Sequence, residues 1–248
     1  MNKRIGNAAI LLSLLIFYSG NAVAQMTDER PKQIGLNIGY GLTAMDDVNN
    51  GIELMKSSGL DQDKISGGTS IRAQMLHPSN PNYSLVFGIG YIRAISKGTI
   101  KIPYTTEYGP DVVSAIDMEH QIGGSLILIQ AGATYSKPVS FLRMRYLHII
   151  GAFNLYHGTA YESGKVEEDN EIAWTQYMDY TNKASSFGFG FEASIMPVWP
   201  LSIKWQFCGG FGYRYAPISG FDADFLDDDF TLDFSGIFFN CGILYSLE

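Results

Sequence analysis

The sequence holds two cysteines among 248 residues, too few for a disulfide framework. It has no basic stretch and a formal net charge of -8, which argues against a nucleic-acid partner. Charged residues make up only 17% of the chain, unlike a coiled coil or a disordered acidic polypeptide. Beyond residue 25 no run reaches the roughly eighteen apolar residues that a transmembrane helix needs. What the chain does have is glycine, 27 residues, and rings: 15 Tyr, 15 Phe and 3 Trp.

The amino terminus reads as an address. Lys3 and Arg4 precede an apolar stretch from Ala8 to Phe17, and Ala22-Val23-Ala24 offers a small-x-small cleavage site. Residues 1–24 are therefore predicted as a signal peptide and 25–248 as one exported domain. No Cys follows the cleavage site, so a lipoprotein anchor is not expected.

Period-2 alternation runs through the rest. Ile34, Leu36, Ile38, Tyr40 and Leu42 alternate with Gly35, Asn37, Gly39 and Gly41. The pattern recurs from Tyr83 to Tyr91, Phe187 to Ile195, Leu201 to Tyr215 and Ile237 to Leu247. Alternation marks strands with two unlike faces. In a soluble sheet the polar face carries Lys, Glu, Thr and Arg; here it is mostly Gly, Ser, Asn and Gln. Such a face suits the crowded interior of a small closed barrel with its bulky apolar face in lipid. Closure satisfies every backbone group in a solvent without hydrogen-bond partners. The Gly-x-Gly repeats lack the helix that a dinucleotide loop would need, and read as barrel lining.

Eight strands are predicted, at about 33–42, 68–77, 83–95, 118–135, 141–157, 185–196, 201–215 and 234–247. Three short connections, near 78–82, 136–140 and 197–200, hold five of the nine prolines, and none is expected inside a strand. Four long ones, about 43–67, 96–117, 158–184 and 216–233, hold 20 of the 25 acids. The fold expected is all-β: an eight-stranded antiparallel transmembrane up-and-down barrel with short periplasmic turns and four long extracellular loops. Tyr40, Tyr91, Tyr213 and Tyr215 would form the outer aromatic girdle, and Tyr83, Trp199 and Tyr245 the inner one. Strand five needs a register shift if Arg143 and Arg145 point inward while Phe153 meets lipid, with Gly151 as the bulge.

With its leader, amphipathic strands, tight turns and polar loops, the chain resembles the small outer-membrane β-barrels of the OmpA/OmpX/OmpW-like superfamily. The resemblance covers the whole mature chain and is one of architecture. It implies a multi-pass barrel in the outer membrane of a Gram-negative-type bacterium. The chain ends Tyr245-Ser246-Leu247-Glu248, whereas many such barrels end on an aromatic residue.

Few residues promise chemistry. Arg72, Glu192, Lys204 and Arg214 share inward parity, and Glu192 and Lys204 flank the 197–200 turn as expected neighbours. They read as a self-neutralising polar network that blocks the lumen; a charged gate in a narrow conduit is the sharper alternative. His77 and His148 have no obvious partner. Pairing about the 136–140 turn would set His120 opposite His157, near Asp117, Glu119 and Glu162. That is a weak candidate site for zinc or copper, or, with Ser163 or Glu162, for acyl chemistry on lipid A; an ordinary rim histidine is the plainer reading. Asp222, Asp224, Asp227, Asp228, Asp229 and Asp233 crowd the last loop, where divalent cations could bind, though not with EF-hand spacing. Arg93, Lys97 and Lys101 could meet lipopolysaccharide phosphates. Cys208 and Cys241 have opposite parity and are expected to be free thiols.

The expectation is thus a non-enzymatic, cofactor-free surface barrel in contact with outer-membrane lipids and lipopolysaccharide. Its acidic loops would serve envelope structure or an external partner. A narrow pore or hydrophobic-solute path is the first alternative, and a lipid A-modifying enzyme the second.

Overall fold

The computed structural model describes residues 31–105, 113–139, 141–169, 177–223, 226 and 229–247. The predicted signal peptide lies outside them. Eight long strands run through the chain: β1 (Gln33–Leu42), β2 (Gly67–Pro78), β3 (Tyr83–Thr105), β4 (Val113–Pro138), β5 (Tyr146–Asp169), β6 (Tyr177–Pro200), β7 (Trp205–Tyr215) and β8 (Gly236–Ser246). Each pairs antiparallel with its sequence neighbours, and β1 pairs with β8, so the sheet closes on itself without an edge at the level of the ring. This is an eight-stranded up-and-down barrel.

Leu76 pairs with Gln33 on β1. Followed the other way round the ring, through Val86, Gly132, Ala152, Glu192 and Arg214, its row arrives at Gly236, two positions before Phe238, the partner of Gly41. One circuit therefore climbs roughly ten residues, a stagger that goes with strands tilted by about 40°.

The two faces differ as the alternation predicts. Ile34, Leu36, Ile38, Phe153, Phe187, Phe189, Phe239 and their outward neighbours are exposed, while the alternate residues turn inward. Along β6 the outward residues from Phe187 to Trp199 climb about 30 Å at ~3.3 Å per residue and that tilt. An apolar band of roughly 25 Å plus its aromatic girdles needs that height. Tyr83 stacks near Tyr135 at 5.1 Å and Trp205 near Tyr245 at 4.7 Å on the end that carries the short turns; Phe191 and Tyr215 lie 5.4 Å apart toward the other end.

Four boundaries depart from expectation. The long connections expected at 96–117 and 158–184 are largely strand, because β3 to β6 continue well past the apolar band. There both faces meet polar surroundings, so the alternation that marks a strand fades from the sequence. The 43–67 connection contains a helix, α1 (Asp46–Ser57), whose first turn holds Asp46 and Asp47 and whose last holds Lys56, each favourable to the helix dipole. The fifth strand begins at Tyr146, since 141–143 form a tight turn with Leu142 and Arg143 at left-handed φ of 52° and 57°. No bulge occurs at Gly151: its pairing to both neighbours keeps one register throughout. The two arginines that prompted the bulge are exposed, Arg143 in that turn and Arg145 just before β5, not in the lumen.

Proline also enters strands, contrary to expectation. Pro103 sits where β3 pairs with β4 beyond its contact with Gln62, and an edge tolerates the missing N–H. At Met196 and Pro197 the ladder from β6 to β7 lapses and then resumes in the same register.

Candidate functional site

Three stacked layers of inward side chains cross the barrel. Nearest the short turns, Leu76, Val86, Ile150, Met196, Val198 and Leu244 form an apolar floor with Cys208. The Cys208 thiol donates to Asn37 Oδ1 at 3.2 Å, while Cys241 faces outward, so both thiols are free.

The middle layer is ionic. Glu192 is buried between two guanidinium groups: Arg72 Nη2 donates to its Oε1 at 2.7 Å, Arg72 Nη1 lies 2.7 Å from Oε2, and Arg214 Nε donates to Oε1 at 2.5 Å. Gln130 Nε2 adds a fourth donor to Oε2 at 2.9 Å. Arg214 also lies over the Phe238 ring at 4.9 Å. A buried carboxylate is tolerated only when its lone pairs are answered in this way. Lys204 is not part of the layer. The turn is centred on Leu201–Lys204 instead of 197–200, which sets Arg214 opposite Glu192. The backbone carbonyl of Lys204 accepts from Ser246 N at 2.8 Å near the chain's end.

The third layer plugs the far end, and sequence reasoning missed it. Helix α1 turns Val48 and Ile52 inward, and a small hairpin of Pro217–Ser219 against Thr231–Asp233 turns in Ile218 and Leu232. These meet Met45, Phe234 and wall residues Ile92, Leu126, Leu128 and Tyr156 in one apolar cluster. The wall makes room with glycine: a Cβ at Gly124 would come within 2.5 Å of Leu232, and one at Gly158 within 2.5 Å of Ile218. Helix and hairpin are tied by Thr231 N donating to Asp47 Oδ2 at 2.7 Å. Asn49 buttons the return of the loop, accepting from Ile65 N at 2.7 Å and donating to Ile65 O at 2.9 Å. The spacing Val48, Ile52, Met55 was the readable sign of an amphipathic helix here.

His120 and His157 do not meet. His120 pairs with Gly98 and Gly164 and points inward; His157 pairs with Ile127 and Phe187, points outward, and stacks on Phe187 at 4.7 Å. The register between β4 and β5 is shifted by seven residues, pairing His120 with Gly164 instead of His157, and an odd shift puts the two rings on opposite faces. Among the described residues no three His, Cys, Asp or Glu side chains gather as a metal set.

His120 instead joins the loop to the wall. Its Nδ1 lies 2.9 Å from Gln62 Oε1 and its Nε2 3.1 Å from Glu162 Oε1. The hydrogen bond from His120 holds the Glu162 carboxyl below its ordinary range, against partial burial. Both ring nitrogens are therefore engaged, and Ser163, next in sequence to Glu162, turns to the other face of the sheet. His148 pairs its Nδ1 with Ser136 Oγ at 3.2 Å inside the turn end, and His77 sits on the outer wall there. Of the acids expected in the last loop, Asp224, Asp227 and Asp228 lie outside the described residues; Asp233 Oδ1 accepts from Ser235 N at 2.8 Å.

Above the apolar band the outward face changes character. The row Tyr91, Ile127, His157, Phe187 is followed by Arg93, Ser125, Thr159, Ser185, then by Ile95, Gly123, Tyr161, Lys183, and by Lys97, Gln121, Ser163, Thr181. Cations thus come first; Glu119 and Asp179 appear only in the next row up. Arg93 lies 5.9 Å over the Tyr161 ring. The side chain of Lys101 lies outside the described residues.

No family model matches the chain, and no curated protein matches it. Among solved structures it is similar to Ail, the attachment invasion locus protein of Yersinia pestis, with a TM-score of 0.41 and 11% identity over 88% of this chain and 99% of that one. The same protein in complex with the heparin analogue sucrose octasulfate gives 0.34 and 10%, over 88% and 99%. Neisserial surface protein A gives 0.38 and 11%, over 87% and 97%. The barrel architecture rests on the closed register of this chain itself.

Proposed function

We propose that the chain is a non-enzymatic outer-membrane β-barrel, exported by a leader at residues 1–24 and closed to solutes. Its loop end would face outward, serving envelope structure or contact with an external partner. The observation that carries this is a lumen packed with side chains inside an apolar outer wall: an apolar floor, an ionic layer and a plug lie stacked along the bore. A wall of exposed Ile, Leu, Phe and Tyr suits lipid and not water. Short turns at the end that holds both strand termini favour that end as periplasmic. Both ring nitrogens of His120 are engaged and Ser163 turns to the other face, which speaks against acyl chemistry by this pair. Arg93, Lys183 and Lys97, just above the band, fit the phosphates of lipopolysaccharide in the outer leaflet.

The test is single-channel recording from the refolded protein in a planar bilayer, with folding checked by the heat-dependent gel mobility of closed barrels. Silence from a folded sample is expected. Steady, reproducible conductance would sink the closed-barrel reading in favour of a narrow pore.

A further inference from the structure

The end that carries the short turns has an unusual surface. Leu201 and Ile203 are exposed at the turn between β6 and β7, Ile203 to 91%, and Phe141 and Leu142 at the turn between β4 and β5, to 67% and 65%. The second turn is held in place: Leu142 and Arg143 adopt left-handed φ, and Trp199 Nε1 donates to Leu142 O at 3.2 Å. Strain of this kind persists only where the surroundings enforce it. Around these apolar tips stand Lys32, Lys137, Arg143, Arg145 and Lys204, with Arg145 lying 5.6 Å over the Tyr146 ring. Among the described residues no acid shares this end; Asp28, Glu29 and Glu248 lie outside them. The acids cluster at the opposite end.

We infer that this end is a docking surface for anionic phospholipid, with the cationic collar against headgroup phosphates and the four apolar tips sunk among them. The inference rests on the membrane reading above and adds a partner to the other leaflet. Charge complementarity selects the occupant, since basic side chains beside apolar and aromatic anchors recognise an anionic lipid interface. Trp199, Trp205, Tyr83 and Tyr245 already mark the level at which headgroups sit.

The experiment uses the refolded protein in phosphatidylcholine vesicles doped with spin-labelled phosphatidylglycerol or spin-labelled phosphatidylcholine. The motionally restricted fraction of each label measures its preference for the barrel wall. The wild type should prefer phosphatidylglycerol by about threefold or more at low salt, given the size of such attractions, and less at high salt. K137Q/R143Q/R145Q should bring the ratio close to parity, while R93Q/K97Q/K183Q, at the other end, should keep it. Parity in the folded wild type, or selectivity that survives the first variant and disappears in the second, overturns the inference; parity would leave the tips to a periplasmic protein. Heat-dependent gel mobility separates the two claims. A barrel that folds in vesicles without lipid preference retains the membrane reading, whereas a chain that does not fold into vesicles loses both.

Discussion

Glu192 answers two guanidinium groups at once, one buried and one partly buried, and that makes it the residue whose removal leaves most unpaired. Replacing one member of a buried ionic set exposes the others to an uncompensated desolvation cost of about 3–5 kcal/mol. E192A should lose that much in urea unfolding from lipid vesicles, and more than R72A, which leaves Glu192 with Arg214 and Gln130. A loss below ~1 kcal/mol would mean that water already reaches the layer. At the mouth the relevant group is Glu162. Its folded carboxyl is depressed by His120, so its contribution to holding Gln62 is present above the ordinary carboxylate range and is lost as pH falls through the folded value. Amide exchange at residues 61–63 should accelerate only below that range, and E162Q should remove the pH step. The sequence placed Arg72, Glu192 and Arg214 in one inward network and Glu162 near His120, but it did not show Gln130 or Gln62 as their partners. Arg72 and Glu192 are 120 positions apart, and alternation reports a face, not a height around a ring.

Helix α1 and the Pro217–Ser219 hairpin owe their seats to wall glycines. A side chain at Gly124 or Gly158 must displace Leu232 or Ile218, and overpacking of this kind costs about 1–3 kcal/mol. G124V and G158V should therefore loosen the plug while the ring stays closed. The expected result is faster proteolytic cleavage within 216–235 with unchanged heat-dependent gel mobility; protection equal to the wild type would show that the plug adjusts. The two misplaced turns share one cause. A turn's length decides which residues face each other across a hairpin, and the 139–145 and 201–204 turns are displaced from the proline-rich positions that first suggested them. One displacement removed the His120–His157 pair and the other removed Lys204 from the lumen.

Across the whole molecule the three layers act in series. Opening one leaves two, so neither E192A nor G124V/G158V should conduct alone. Conductance is expected only once several layers are removed together, and a stable current from either variant alone would show that the remaining layers do not seal. The ring itself needs no such tuning. Each strand pairs on both sides at band level, and only β3 to β6 rise beyond it as an outward-projecting sheet. Charge is unevenly distributed along the same axis: among the described residues the turn end carries cations without acids, and the mouth carries both signs.

The local sequence determined which residues within the strands face outward and which face the bore, how many strands there are, and that the two cysteines stay apart. These follow from the period of the extended chain, which needs no knowledge of neighbours. Only the closed tertiary structure decided what fills the bore. Layer membership depends on register summed round eight strands, and the plug depends on loops folding back onto a wall whose glycines look, in the sequence, like every other small residue of the lining.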